Sequence, residues 1–159
     1  MTTIRKIVEY IVPKTLELSR EYIPDEEVKI NYSAIFCQND EEYERLRAEA
    51  SELGRIVYDT PTGPLYKLQK PLETPAGPLW LLKVRKPDST RQQRGDADFT
   101  LENQENYEGF KEKYLRDAKH FKLIEHSDFE MVELRDPNFD VLVYFSNPPL
   151  TEQFGVKLF

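Results

Sequence analysis

Twice along this chain a segment of strict alternation gives way to a helical stripe and then to three short β-rich runs, and this doubled order constrains the fold more than any other feature. From Lys29 to Cys37 the side chains Ile30, Tyr32, Ala34 and Phe36 share one strand face, opposite Lys29, Asn31 and Ser33. Asn39-Asp40 then offers an N-cap, Tyr43, Leu46, Ala50 and Leu53 recur at helical spacing, and Gly54 stands at the C-cap. Strands follow over Arg55–Tyr58, Pro64–Gln69 and Pro78–Lys86, separated by Pro61, Gly63, Pro71, Pro75 and Gly77. After a polar loop the order repeats. Ala97, Phe99 and Leu101 alternate with Asp96, Asp98 and Thr100; Tyr107, Phe110 and Tyr114 mark a helix; and Phe121–His126, Phe129–Arg135 and Asp140–Ser146 read as strands. Pro148-Pro149 predicts an irregular closing tail.

The expected fold class is α+β: two βαβββ modules, 28–86 and 95–147, within one domain spanning 28–159. Residues 1–27 are expected to form a helical extension, because Ile4, Ile7, Val8 and Ile11 recur at helical spacing, with Pro13 interrupting before Leu16. With 39% apolar residues, nine Phe and nine Tyr, 159 residues can fill one sizeable core. No apolar run approaches the roughly 20 residues needed to cross a bilayer. Glu9, Lys14 and Glu17 break up the N-terminal segment, so it does not resemble a signal peptide. The expectation is a cytoplasmic protein with no membrane partner. A formal charge of −7 repels phosphate backbones and argues against nucleic acid. Cys37 is the single cysteine, which excludes an intrachain disulfide and a zinc site of paired cysteines.

Paired βαβββ modules curling into an eight-stranded cup resemble the vicinal-oxygen-chelate superfamily of glyoxalases and extradiol dioxygenases, and within it the YecM-like proteins. The resemblance rests on order and spacing: Asn31–Cys37 as first strand, Pro64–Leu68 with Pro71 following, Trp80–Val84, Gly95–Leu101, and Asp140–Pro148. It implies a glyoxalase-like curved sheet. In metal-dependent members, His and Glu from the first and last strands of each module hold a divalent ion that chelates two neighbouring substrate oxygens. This chain departs from that pattern. It carries Tyr32 where such proteins tend to carry His, Lys83 and Arg85 on the fourth strand, Asp96 and Asp98 on the fifth, and Tyr144 and Ser146 on the eighth. Protonated Lys and Arg do not ligate and would repel the ion, so neither a metal nor another cofactor is expected.

The densest chemical signal is Lys83-Val84-Arg85-Lys86 with Arg91 and Arg94, followed closely by Asp96 and Asp98. Lys83 and Arg85 share a strand face, and with Arg94 they suit a carboxylate or phosphate, whereas an ordinary charge run would line a solvated edge. Asp96 and Asp98 point the same way, with Cα atoms about 6.5–7 Å apart, a spacing for acid–base work or for a polar outer face. His126, beside Glu125 and Asp128, and His120 fall at turns, where a surface role is the ordinary one. Cys37 at a strand end reads as a small buried hydrophobe. With six Gly and no Gly-rich phosphate loop, nucleotide binding has no motif behind it.

The leading expectation is therefore a metal-independent binder of a small polar or anionic ligand, or a lapsed enzyme, using Tyr32, Lys83, Arg85, Arg94, Asp96, Asp98 and Tyr144. Two alternatives stay open: a divalent-metal lyase, isomerase or dioxygenase using Asp96, Asp98 or nearby Glu, and a homodimeric interaction module. Alternation does not say which sheet face is inward.

Overall fold

The computed structural model describes residues 2–154 and shows one curved, open, eight-stranded sheet. The chain begins with helix α1 (Ile4–Tyr22), then strand β1 (Val28–Phe36), helix α2 (Asp40–Leu53) and strands β2 (Gly54–Thr60), β3 (Gly63–Thr74) and β4 (Gly77–Arg85). The second module runs β5 (Gly95–Leu101), a short 3₁₀ turn, α3 (Tyr107–Tyr114), β6 (Phe121–Glu125), β7 (Glu130–Leu134) and β8 (Val141–Asn147), and the closing tail forms a single turn of helix, α4 (Leu150–Gln153). The strand order is β2-β3-β4-β1-β5-β8-β7-β6. Within each module the first and last strands pair in parallel, β1 with β4 and β5 with β8, and the two modules join through an antiparallel β1–β5 seam. The doubled order in the sequence is thus a doubled architecture.

The convex face carries the main core. Ile30, Ile35, Ala97, Phe99, Leu101, Val141, Val143 and Phe145 point from the central strands into a cluster shared with α1, α2 and α3. Phe110 of α3 anchors it, with its ring centroid 4.9 Å from that of Phe145 and 5.0 Å from that of Tyr114. The concave face holds a smaller cluster of Ala34, Phe36, Leu142 and Tyr144, with Tyr32, Ile124 and Met131 against it.

Three local expectations are corrected. Pro13 does not interrupt the first helix: α1 runs unbroken through it, because Pro13 sits on the exposed side while Ile4, Ile7, Val8, Ile11, Val12, Leu16 and Leu18 hold both halves against the sheet. Thr3 caps its start by accepting from the Lys6 amide. The expected N-terminal helix forms a layer of the core, and Gly95 makes the close approach possible: a Cβ there would lie 2.4 Å from the Ala34 carbonyl oxygen and 2.5 Å from Ile11 Cδ1. Likewise Pro71 does not end a strand. It lies inside β3 where the pairing with β4 shifts between Lys67 and Leu72, so its missing N–H falls at an irregularity of the ladder.

The third correction bears on the site. Ile30 and Tyr32 do not share a face, because the β1–β5 register shifts between them, pairing Ile30 with Phe99 and Tyr32 with Asp98. Asn31 is the extra residue of this bulge. Ile30 therefore enters the convex core, whereas Tyr32, Ala34 and Phe36 turn into the cup.

Candidate functional site

A cavity of about 330 Å³ opens on the concave face between the two modules. The register places its polar side chains in two rows. Tyr32 pairs with Asp98, Asp98 with Tyr144, and Tyr144 with Glu133, running across β1, β5, β8 and β7. One step along, Lys83 pairs with Ala34, Ala34 with Asp96, and Asp96 with Leu142. The small Ala34 side chain leaves open space between Lys83 and Asp96, whose Cα atoms are separated by two strand spacings, roughly 9.5 Å. Arg85 follows Lys83 on the same face of β4.

Six of the seven residues expected from the sequence line this cavity together: Tyr32, Lys83, Arg85, Asp96, Asp98 and Tyr144. Arg94 does not. Its guanidinium grips Glu42 in a bidentate pair at 2.8 and 3.0 Å and donates to the Phe36 carbonyl at 2.8 Å, fastening the start of β5 to the first turn of α2. Proximity in sequence to Asp96 was misleading, because Arg94 lies in the loop before the strand. Neither Lys83 nor Arg85 is a solvated edge charge, since β4 lies inside the sheet. Asp96 and Asp98 likewise occupy the inward side of the cup, 6% and 1% exposed.

The two carboxylates differ in how well they are satisfied. Asp98 accepts from Asn31 Nδ2 at 2.9 Å and the Ser146 amide at 3.3 Å on one oxygen, and from the Ser146 hydroxyl on the other. Among the described residues Asp96 accepts only from the Ala34 amide, at 3.1 Å on Oδ1. Burial, then the charge of Asp98, push Asp96 up to about 7, against the pull of the Ala34 hydrogen bond and of Arg85 and Lys83. Burial also pushes Asp98 up to about 7, opposed by the bonds from Ser146 and Asn31.

The cations are loosely held. Lys83 Nζ donates to the Thr62 hydroxyl, and burial, then Arg85, lower its pKa while Asp96 opposes. Arg85 lies 3.9 Å from Asp88 and over the Phe36 ring at 5.1 Å. Arg91, from the loop before β5, also faces the cavity. Tyr144 donates to Glu133 at 2.9 Å, and Glu133 pairs with Arg135 at 2.9 Å. The half-buried Tyr32 has no side-chain hydrogen bond among the described residues, and burial, then Asp96 and Asp98, raise its pKa, so the phenol keeps its proton.

The apolar wall was not legible as a site. Leu65, Ile124, Phe129, Met131, Leu150 and Phe154 come from both modules and from the tail, and no local motif joins them. Asn31 and Ser146 gave the better signal, as polar residues inside strands that carry buried partners. His126 stands at the rim, its ring stacked on Phe129 at 4.4 Å, whereas His120 is bonded to Asp117 at 2.8 Å away from the cup. Burial pushes the Cys37 thiol up to about 12, which leaves it an inert member of the core.

The donor set does not fit a divalent ion. Among the described residues no three His, Cys, Asp or Glu side chains converge. Asp98 is occupied by Asn31 and Ser146, Glu133 by Tyr144 and Arg135, and two cations share the space with Asp96. A paired carboxylate held among cations and phenols can bind an anion and hold or move a proton.

The solved structures that the chain matches include these two. A structural-genomics protein designated EC4020 matches with TM-score 0.69 at 14% identity, over 96% of this chain and 93% of that one. A glyoxalase/bleomycin resistance protein/dioxygenase superfamily member from Vibrio splendidus 12B01 matches with TM-score 0.45 at 10% identity, over 76% of this chain and 97% of that one. No family model matches the chain, and no curated protein matches it. What the strand order defines is an α+β protein with one open, curved sheet of paired βαβββ modules. None of its described helices is long and apolar enough to cross a membrane.

Proposed function

We propose that the cup binds a small anionic ligand without a resident metal, through Lys83 and Arg85 with Tyr32 and Tyr144 shaping its polar side. The observation that carries this reading is the placement of two weakly paired cations on one inward face, across a 330 Å³ cavity from the buried Asp96. A partly buried ammonium or guanidinium that has no carboxylate partner, or only a distant one, gains most from an incoming anion, because part of its desolvation cost is already met in the fold. The apolar wall suits a ligand with a compact apolar part beside its charge. Order and spacing of the strand runs support a YecM-like member of the glyoxalase-like superfamily, one in which cations stand where a chelated metal acts elsewhere.

Thermal unfolding of the purified protein with divalent metals and with small oxoacids tests this, since a ligand that binds only the folded state raises Tm. The expected result is a rise with carboxylates that is lost in Arg85→Ala, whose own melting curve remains cooperative. A rise with a divalent metal and none with anions would overturn the proposal.

A further inference from the structure

The two aspartates of the cup are unequal in a way that binding an anion at Lys83 and Arg85 does not require. Asp98 is saturated by three donors from Asn31 and Ser146, the arrangement that stabilises a charged carboxylate. Asp96, 6% exposed, receives one donor on Oδ1, makes no ion pair among the described residues, and has Oδ2 free at the cavity. Two charges on adjacent same-face positions of one buried strand repel each other, so one proton stays with the pair. It stays on the carboxyl with fewer donors, which is Asp96. A protonated carboxyl is a hydrogen-bond donor, and the Tyr32 hydroxyl, diagonal to it across the β1–β5 seam, is a second donor with no side-chain hydrogen bond among the described residues.

We infer that neutral Asp96 and the Tyr32 hydroxyl form the donor pair for the ligand's anionic oxygen, so that the cup takes up a small monoanionic carboxylate together with one proton. This rests on the anion-binding reading above and assigns what that reading leaves open, the side of the cup that holds the oxygen. Ionised Asp96 would repel such a ligand, and neutral Asp96 binds it. The groups that bear on Asp96 are Tyr32 from β1, Lys83 and Arg85 from β4, Asp98 on its own strand, Tyr144 from β8 with Glu133 of β7 behind it, Arg91 from the preceding loop and His126 at the rim. Of these, Asp98 is also pushed up to about 7 by burial, and loss of the pH dependence in Asp96→Asn separates the two.

The test is calorimetric titration of the full chain with acetate, benzoate, lactate and pyruvate between about pH 5.5 and pH 8.5, in buffers of differing ionisation enthalpy. Affinity is expected to be level at the acid end and to fall by up to about tenfold per pH unit above neutrality, with close to one proton taken up per anion there. Asp96→Asn, whose amide stays neutral and still donates, is expected to bind at the alkaline end at least as tightly as wild type at the acid end, with no pH dependence. His126→Asn is expected to keep the wild-type pH profile, and Tyr32→Phe to lose about tenfold in affinity while keeping the slope. Anion binding that is lost in Arg85→Ala yet shows neither pH dependence nor proton uptake in wild type would overturn this inference and leave the anion-binding reading standing. Binding by none of the four anions at any pH would overturn both.

Discussion

A carboxyl held neutral by its surroundings leaves a signature in stability that needs no ligand. Asp96 goes from an ordinary carboxylate value of 3.8 in the unfolded chain to about 7 in the fold, so the folded state holds its proton more tightly. Its contribution to stability is therefore complete below the unfolded value and is lost as pH rises through the folded one. A difference of about 3 pKa units corresponds to a swing on the order of 4 kcal/mol, accumulated at about 1.4 kcal/mol per pH unit. Asp96→Asn keeps the acceptor for the Ala34 amide and removes the charge, so it isolates the effect from the other carboxyls. Urea unfolding followed by fluorescence of Trp80, the single Trp, gives stability at each pH. The variant is expected to be close to wild type near pH 4, to gain on it steadily, and to exceed it by about 4 kcal/mol at pH 8. Parallel pH curves for the two proteins, or a variant less stable at pH 8, would refute the buried neutral carboxyl.

Arg94→Ala is expected to cost about 2 kcal/mol, because it leaves Glu42 and the Phe36 carbonyl without their guanidinium, while the affinity for small carboxylates stays at the wild-type level; urea unfolding and calorimetry on the same variant check both halves. Gly95→Ala drives a methyl group into the Ala34 carbonyl and Ile11 and is expected to destabilise by about 3 kcal/mol, read as a lowered urea midpoint.

Much of the fold was written in the periodicities. The switch from alternation to helical spacing located β1 and α2, and its repetition located β5 and α3, because α2 and α3 bury one face and expose the other while β1 and β5 set an apolar face against the helices and a more polar, largely buried one toward the cup. Local rules failed where tertiary contacts outweighed them. Pro13 reads as a helix break, but the apolar residues on both sides of it are bound to the same sheet. The bulge at Asn31 reverses the face of Tyr32, and nothing in an alternating string marks it except a polar residue between Ile30 and Tyr32. The site itself was half legible. Lys83, Arg85, Asp96 and Asp98 could be chosen by type and spacing, yet the sign of the alternation was missing, and only packing of Ala97 and Phe99 against the helices turns the aspartates into the cup. Ile124, Met131, Leu150 and Phe154 reach the cavity from distant segments and could not have been gathered from sequence.

The central claim is that the concave face between the modules is where a small anion binds. Amide chemical-shift mapping of the full chain titrated with benzoate near pH 6 tests it directly, because other basic grooves exist, among them one lined by Arg91, Lys119, Lys122 and Arg135 at the β6–β7 end of the sheet. The account predicts saturable shifts concentrated on β1, β4, β5 and β8 around Tyr32, Lys83, Asp96 and Tyr144, absent in Arg85→Ala. Shifts confined to the outer groove around Lys119 and Lys122, with the cup unmoved, would contradict it.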